Sequence, residues 1–265
     1  MGGPVTLYFL TRVVGQEWKD RYINAFVPLS GAWGGSNSVL QYEISGMDLS
    51  TALSACPSAQ SVIIFPTFVS NLRSALRSLE SMSWMLPEPS LWGDTVLVTT
   101  PNRNYTAHDY KALFMDIGHP QGYDMYQGIV SLNQDYPSPG VPTHCFYGIG
   151  VGTPVNFVYD NGFPNANPTS VTCGNGDGSI TLDSSRICLQ WAGSNVSFTS
   201  RTFEGTTHVG MVSNKTVLEA LAEIVGAPIN LDRNLRSSAN TTNASGLLAT
   251  INCLFIVLLA FNFLI

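Results

Sequence analysis

Three short apolar segments have the pattern of buried β-strands, and an amphipathic helix follows the last of them. The segments are Ala25–Leu29, Thr143–Val151 and Asn195–Phe203. The helix, TVLEALAEIVG, carries its apolar residues on one face and ends at a glycine, and Thr216 with Glu219 predicts a capping box at its start. Strands followed by helices in this order favour an α/β fold built in layers.

The region 36–140 differs from the rest of the chain, since it combines loops and short helices with scattered aromatic residues. We interpret it as a cap inserted into a core made of residues 1–35 and 141–228. In the core, Pro4 suits the first turn of a buried helix, and a loop rich in Gly, Pro and Asn is expected to reach Thr172. The elements predicted within the cap are two helices and a strand: Ser70–Met82, Ala107–Gly118 and Asp94–Thr100.

The composition argues against a nucleic-acid-binding protein. Of 265 residues, 45% are hydrophobic and only 11% are charged, and the net charge is −6. The longest basic run is the broken one at Lys19–Arg21, so nothing here would neutralise a row of phosphates. We predict no metal and no cofactor, because the histidines are scattered without ligand spacing: His108, His119, His144 and His208.

Sequons for N-glycosylation indicate the secretory pathway. The Asn-x-Ser/Thr pattern is recognised only in the secretory lumen, and five copies in a chain of low charge are unlikely to arise by chance. They lie at Asn104, Asn195, Asn214, Asn240 and Asn243.

The five cysteines agree with an oxidising compartment. Cys173 and Cys188 lie 15 residues apart around a Gly-rich turn, and they form the predicted disulfide. For Cys56 and Cys145 we favour buried thiols.

The first residues, MGGPV, have neither the basic region nor the cleavage site of a signal peptide. A protein of the secretory lumen needs such a signal, so we expect the polypeptide to lack its amino-terminal part. An alternative is the myristoylation pattern at Met1–Thr6, which would anchor a cytosolic protein but leave the sequons unexplained.

The last residues, 247–265, are almost all apolar and carry no charge, so they are long enough to span a bilayer. The nearby basic residues Arg233 and Arg236 precede this tail, and a transmembrane orientation set by them would place the sequons in the cytosol. A signal for a glycosylphosphatidylinositol (GPI) anchor resolves this conflict.

Such a signal consists of small residues at the attachment site, a polar spacer and an apolar tail. The spacer is 229–246, and Ser237 or Ser238 is the predicted attachment residue. Cys253 would leave with the tail, and the sequons at Asn240 and Asn243 would be lost with it.

Two residues near the end of the core have the arrangement of catalytic groups. Asp177 lies in the Gly-rich turn CGNGDGSITL, and His208 follows a strand in EGTTHVGMV. An α/β hydrolase keeps the acid and the base of its triad on such loops, in the chain order Ser, Asp, His. By themselves these residues also fit a simple turn aspartate and a structural histidine.

Several longer blocks resemble the lecithin–cholesterol acyltransferase family, and most closely its lysosomal phospholipase A2 branch. They are TLYFL…WKDRYINAFVPLSGAWGGS, VLVTTPNRNYTAHDYKALFMDIG, THCFYGIGVGTP, CGNGDGSITL…CLQW and THVGMVSNKTVL, in the family's order over residues 1–226. The resemblance implies an α/β hydrolase with a cap, which cleaves an acyl chain from a glycerophospholipid through a serine acyl-enzyme. Water or a lipophilic alcohol then accepts the acyl group, at a phospholipid membrane or a lipoprotein-like surface in the lysosome, outside the cell or at its surface.

The resemblance also implies roles for single residues. Asp177 and His208 become the acid and base of the triad, and Cys173–Cys188 a disulfide beside the Asp turn. The Trp33–Gly35 segment opens a mobile lid region. The family's nucleophile lies in a G/A-H-S-M-G elbow, so we expect the serine just before Met1, whose amide would belong to the oxyanion hole.

A chain without this serine would be close to inactive, and the strand Ala25–Leu29 would lack a sheet neighbour. The alternative hypothesis is a non-catalytic protein that binds lipid through the apolar groove of the cap.

The anchor hypothesis predicts how the protein behaves on cells. After treatment of cells that express the full-length protein with phosphatidylinositol-specific phospholipase C, the surface pool should appear in the medium. A pool that stays on the cells would indicate a transmembrane tail instead.

Overall fold

The computed structural model describes residues 1–46, 56, 72–133 and 135–227 as short helices around two small sheets. The predicted attachment residues Ser237 and Ser238, the sequons Asn240 and Asn243, and the tail lie outside the described residues.

The mixture of helices and strands confirms the predicted α/β class. The α-helices are α1 Gly2–Tyr8, α2 Gln16–Tyr22, α3 Ser38–Ile44, α4 Leu72–Arg77, α5 Glu80–Trp84, α6 Pro89–Trp92, α7 Tyr110–Asp116, α8 Pro120–Ile129, α9 Leu182–Arg186 and α10 Lys215–Val225.

The three predicted core strands lie side by side. β3 (Thr143–Ile149) pairs in parallel with β6 (Phe198–Glu204) over its whole length. On its other side β3 pairs in parallel with the extended segment around Phe26 and Leu29, through bridges to Thr143 and Phe146. Within the described part of the chain, no strand pairs with the far edge of this segment. Parallel pairing places the carboxyl ends of β3 and β6 at the same edge of the sheet.

A second sheet is formed by four strands, β1 Val98–Thr99, β2 Asn104–Tyr105, β4 Val151–Val158 and β5 Ser170–Gly176. Their order in the sheet is β2-β1-β4-β5. The loop that we expected up to Thr172 is instead β4, followed by a turn and the antiparallel β5, so that prediction is wrong. β5 is mostly exposed and polar, so it gave no buried-strand pattern. In β4, buried Val151, Thr153 and Phe157 alternate with Gly152, Pro154 and Asn156, which made the segment look like a loop. β1 and β2 come from the predicted cap and β4 and β5 from the predicted core, and the domain division itself stays a prediction.

The helices confirm some predicted boundaries and correct others. The helix after Pro4 is α1, which continues as a π-helical turn over Phe9–Val13, and α7 lies within the predicted range 107–118. The single helix expected over 70–82 is wrong, because the chain is extended at Leu79 between α4 and α5. The guanidinium of Arg77, at the end of α4, donates to the carbonyls of Glu43, Ile44 and Ile117.

The predicted capping box is also wrong. Asn214 is the N-cap of α10, and its side chain accepts hydrogen bonds from the amides of Thr216 and Val217. The predicted apolar face of α10, which is Val217, Leu218, Leu221, Ile224 and Val225, is confirmed in part. Val217, Leu221 and Ile224 belong to the cluster with Phe146 and Phe203 of the parallel sheet, whereas Val225 is 52% exposed.

Both disulfides differ from the predicted pairing. Cys56 bonds to Cys173 and Cys145 bonds to Cys188, so the pair Cys173–Cys188 and the buried thiols at Cys56 and Cys145 are wrong. Cys173 lies in the exposed part of β5, whereas the turn after α9 carries Cys188 to the buried side of β3, where Trp33 packs edge-on against Trp191. Disulfides as such were predicted correctly, and they fit the secretory pathway.

Glu43 is a buried carboxyl group in α3. Its side chain is 1% exposed, and among the described residues neither carboxyl oxygen has a hydrogen-bond partner. The nearest ionisable side chain is His119, with Nε2 3.9 Å from Oε2. Burial raises the pKa of Glu43 to about 7, against the opposing effect of Arg77. Burial also lowers the pKa of His119, so the buried site favours a neutral carboxyl group beside a neutral imidazole.

Glu43 predicts a pH dependence of stability. A folded-state pKa above the unfolded value stabilises the protein in acid, and this contribution is lost as the pH rises from about 4.5 to about 7, by roughly 3 kcal/mol for this group. His119 acts in the opposite sense below about pH 6.5. In urea unfolding at a series of pH values, Glu43→Gln should flatten the decline in stability between about pH 4.5 and 7, whereas Glu80→Gln at an exposed position should not. Parallel profiles for wild type and Glu43→Gln would contradict this assignment.

Candidate active site

Asp177 directly follows β5, and its side chain is completely buried. Its Oδ1 accepts hydrogen bonds from the amides of Ser179 at 3.0 Å and Ile180 at 2.7 Å, and its own amide donates to the Ile180 carbonyl. Gly178 adopts a φ of +90°, and its amide donates to Thr153 of β4. The predicted Gly-rich turn is therefore present, and it fixes the carboxylate through the backbone.

His208 follows β6 and begins a short 3₁₀ turn over Val209–Val212. Its backbone amide donates to the Asp177 carbonyl at 2.8 Å, and its Nδ1 lies 2.8 Å from Asp177 Oδ2. Because an ionised carboxylate only accepts, Nδ1 carries the proton and Nε2 is left as the basic nitrogen. The structure thus brings together the two residues that the sequence singled out.

The environment keeps Asp177 ionised. Burial alone would raise the pKa of this carboxyl group, but the charge and hydrogen bond of His208 and the two turn amides outweigh it, so the pKa lies below its usual value. The His208 side chain is 32% exposed, and within the described residues Nε2 makes no hydrogen bond. A buried carboxylate that orients an accessible imidazole can support general acid–base chemistry.

The segment Trp33–Gly35, which the resemblance places at the start of a lid, is buried. Ser184 accepts from the Gly34 amide at 3.0 Å and donates to the Gly35 carbonyl at 2.8 Å. Ser36 donates to the Ser179 carbonyl at 2.7 Å, which connects this segment to the Asp177 turn. The sequence offered no signal for either serine, and mobility of a lid stays a prediction.

Other predicted residues have different outcomes. Met1 stands at the start of α1, and its role in an oxyanion hole stays a prediction. Ser30 is buried and its hydroxyl accepts from the Gly148 amide, and Cys145 is in a disulfide, so neither is an available nucleophile. His144 bonds to Thr199 on the sheet. Among the described residues, no group of three or more acidic, histidine or cysteine side chains could hold a metal ion.

The sequons within the described residues lie at three kinds of position. Asn104 is in β2 and Asn195 precedes β6, and both are exposed. Asn214 is half-buried, and its Nδ2 donates to Thr206 Oγ1 at 3.0 Å. Asn214 is thus both a sequon residue and the N-cap of α10. The sequence reasoning missed the cap, although asparagine is a preferred N-cap residue. Glycosylation of all three stays a prediction.

None of the described helices is both long enough and apolar enough to cross a bilayer.

Gly148 of β3 lies where the Asp and His loops meet. A Cβ at this position would overlap the Thr206 carbonyl oxygen and lie 3.0 Å from the Asp177 Cβ. We expect Gly148→Ala to lower the free energy of unfolding by about 1–3 kcal/mol, because the obstacle is backbone. Gly128→Ala in α8, where a Cβ meets nothing within 4 Å, is the matched control and should not destabilise. Equal urea midpoints for the two variants would show that the site tolerates the extra carbon.

The chain is similar to known proteins of one family. The family model described as "Lecithin:cholesterol acyltransferase" matches residues 1–136 and 127–215. The chain is 37% identical over 230 residues to "Lysosomal phospholipase A and acyltransferase" of Canis lupus familiaris, covering 86% of this chain and 52% of that protein. The Homo sapiens protein of that name is 36% identical over 230 residues, with the same coverage.

"Phosphatidylcholine-sterol acyltransferase" of Mus musculus is 33% identical over 224 residues, covering 83% of this chain and 48% of that protein. The chain therefore spans about half the length of the curated relatives it matches. The match to the family model over most of its length and these identities show that the chain belongs to the lecithin:cholesterol acyltransferase family.

Proposed function

We propose that this chain carries the acid and base of a lipid acyltransferase or phospholipase A that acts on glycerophospholipid acyl esters. The observation that carries the proposal is the 2.8 Å bond from His208 to the buried, ionised Asp177, with Nε2 left accessible. The names of the relatives support the same chemistry, since they include phospholipase A and acyltransferase activities. The proposed fold is an α/β-hydrolase core with a cap.

In the first half-reaction His208 Nε2 takes the proton of a serine hydroxyl as its oxygen attacks the acyl carbonyl. The nucleophile in this proposal is the serine of the family's G/A-H-S-M-G elbow, whose last two residues match Met1 and Gly2. The imidazolium then gives its proton to the departing lysophospholipid oxygen, and the acyl-enzyme remains. Asp177 stays ionised and stabilises the imidazolium through Nδ1.

In the second half-reaction His208 takes a proton from water or from a lipophilic alcohol. The oxygen of this acceptor attacks the acyl-enzyme, and the imidazolium returns its proton to the serine. Free fatty acid or a new ester is released, and the enzyme is restored.

The site of action in this proposal is a phospholipid membrane or a lipoprotein-like surface. The two disulfides support a lysosomal or extracellular location, and the proposed GPI anchor would hold the protein at the cell surface. The cap, residues 36–140, would provide the apolar surface for the acyl chains.

The proposal is tested in the full-length protein with phosphatidylcholine vesicles that contain a lipophilic alcohol. Asp177→Asn and His208→Ala should each lower both fatty-acid release and acyl transfer by roughly 10³- to 10⁴-fold, because the general base is lost or wrongly oriented. His108→Ala, at an exposed position in front of α7, is the control and should keep full activity.

Turnover that survives in His208→Ala would show that the base is assigned wrongly. A wild-type protein that binds the vesicles without any turnover would instead support the non-catalytic lipid-binding hypothesis.

A further inference from the structure

The loop that carries His208 is closed at its base by one side-chain hydrogen bond. Asn214 Nδ2 donates to Thr206 Oγ1 at 3.0 Å, so the first and last residues of the segment Thr206–Asn214 are joined. Thr206 is only 4% exposed, which shields the bond on that side from water. His208 lies between the two joined residues.

Asn214 also connects this loop to the helix behind it. Its Oδ1 accepts from the amides of Thr216 at 2.9 Å and Val217 at 3.3 Å, and its own amide donates to the Gly210 carbonyl at 2.8 Å. Val217 is completely buried against the parallel sheet. The base of the His208 loop is therefore tied through one side chain to the hydrophobic core.

Two further hydrogen bonds within the loop hold the backbone that follows His208 against Thr207. The Gly210 amide donates to Thr207 Oγ1 at 3.1 Å, and the Met211 amide donates to the Thr207 carbonyl at 3.0 Å. With its backbone held in this way, the imidazole needs only the bond to Asp177 to fix its orientation. The His208 amide also donates to the Asp177 carbonyl at 2.8 Å, so a shift of the loop would move Nε2 by straining this backbone bond as well.

We propose that Thr206 and Asn214 are positioning residues, which hold the backbone of His208 so that Nε2 meets the reacting hydroxyl groups. This inference rests on the proposed function of His208, and neither residue is expected to touch the substrate. Misplacing a catalytic group by about 1 Å can cost about 100-fold in rate. The effect belongs to kcat, since the bond does not contribute to substrate binding.

The sequon at Asn214 needs a control of its own. An attached glycan would replace one of the two hydrogens of Nδ2 and leave the other for Thr206. Thr216→Ala destroys the sequon at an exposed side chain but keeps Asn214 and its bonds. This variant therefore separates the effect of a glycan from the effect of the hydrogen bond.

The experiment uses the full-length protein with phosphatidylcholine vesicles and with the soluble ester p-nitrophenyl butyrate. Thr206→Val keeps the shape of the side chain and removes the acceptor, so kcat should fall about 10- to 100-fold with KM unchanged on both substrates. Thr206→Ser restores a hydroxyl group and should return kcat to within about threefold of wild type, a rescue that a purely steric role of Thr206 would not give. Thr216→Ala should behave as wild type.

Thermal melts confirm that each variant is folded at the assay temperature. Should Thr206→Val be unfolded there, Asn214→Ser decides, because serine keeps the helix cap but is too short to reach Thr206. A folded Thr206→Val or Asn214→Ser enzyme with wild-type kcat would overturn the inference. His208→Ala separates the two hypotheses: if it keeps its activity the proposed function fails, and if it is inactive while Thr206→Val is active only this inference fails.

Discussion

The parallel pairing of β3 with β6 is the constraint on which the rest of the structure depends. It runs from Thr143 opposite Phe198 to Ile149 opposite Glu204, without a shift in register. Because β3 and β6 end at the same edge, the chain that follows β6 and carries His208 lies next to the end of β3. The turn after β5, which carries Asp177, reaches the same place. A β-bridge between Val151 and Asp177 places this turn next to the end of β3. There the His208 amide donates to the Asp177 carbonyl. The site therefore follows from the direction of two strands and from one hairpin.

The Asp177 carboxylate shows how such a site tolerates a buried charge. Removing an ion from water is costly unless hydrogen bonds and an opposite charge replace the lost hydration. Here the amides of Ser179 and Ile180 supply part of that replacement and His208 supplies the rest. Glu43 is the contrasting case, because no such donors reach it among the described residues and its pKa rises instead.

The sequence predicted the features that depend on local pattern. The apolar strands, the amphipathic α10 and the Gly-rich turn at Asp177 all follow from residue type and spacing. The pairing of Asp177 with His208 does not, because chain order alone also fits a turn aspartate and a structural histidine, and the family resemblance was needed to single out the pair. The disulfides could not be predicted in this way. Cys173 and Cys188 are only 15 residues apart in the chain, but Cys173 is exposed on β5 and Cys188 is buried after α9, and each bonds to a different cysteine. β5 was missed because its residues are mostly exposed and the strand is stabilised by pairing with β4. β4 was missed because Gly152, Pro154 and Asn156 are typical of a loop, although Val151, Thr153 and Phe157 alternate with them and are buried.

The Asp177–His208 side-chain bond joins two loops that also share a backbone bond, from the His208 amide to the Asp177 carbonyl. Each loop has further anchors of its own. On one side, Thr153 of β4 and Ser36 in front of α3 hold the Asp177 turn. On the other side, Asn214 and α10 hold the His208 loop. A hydrogen bond formed between two anchored groups loses little conformational entropy, so its geometry is set by the scaffold and not by the pair itself. For this reason residues that never approach a substrate control how well the imidazole is placed.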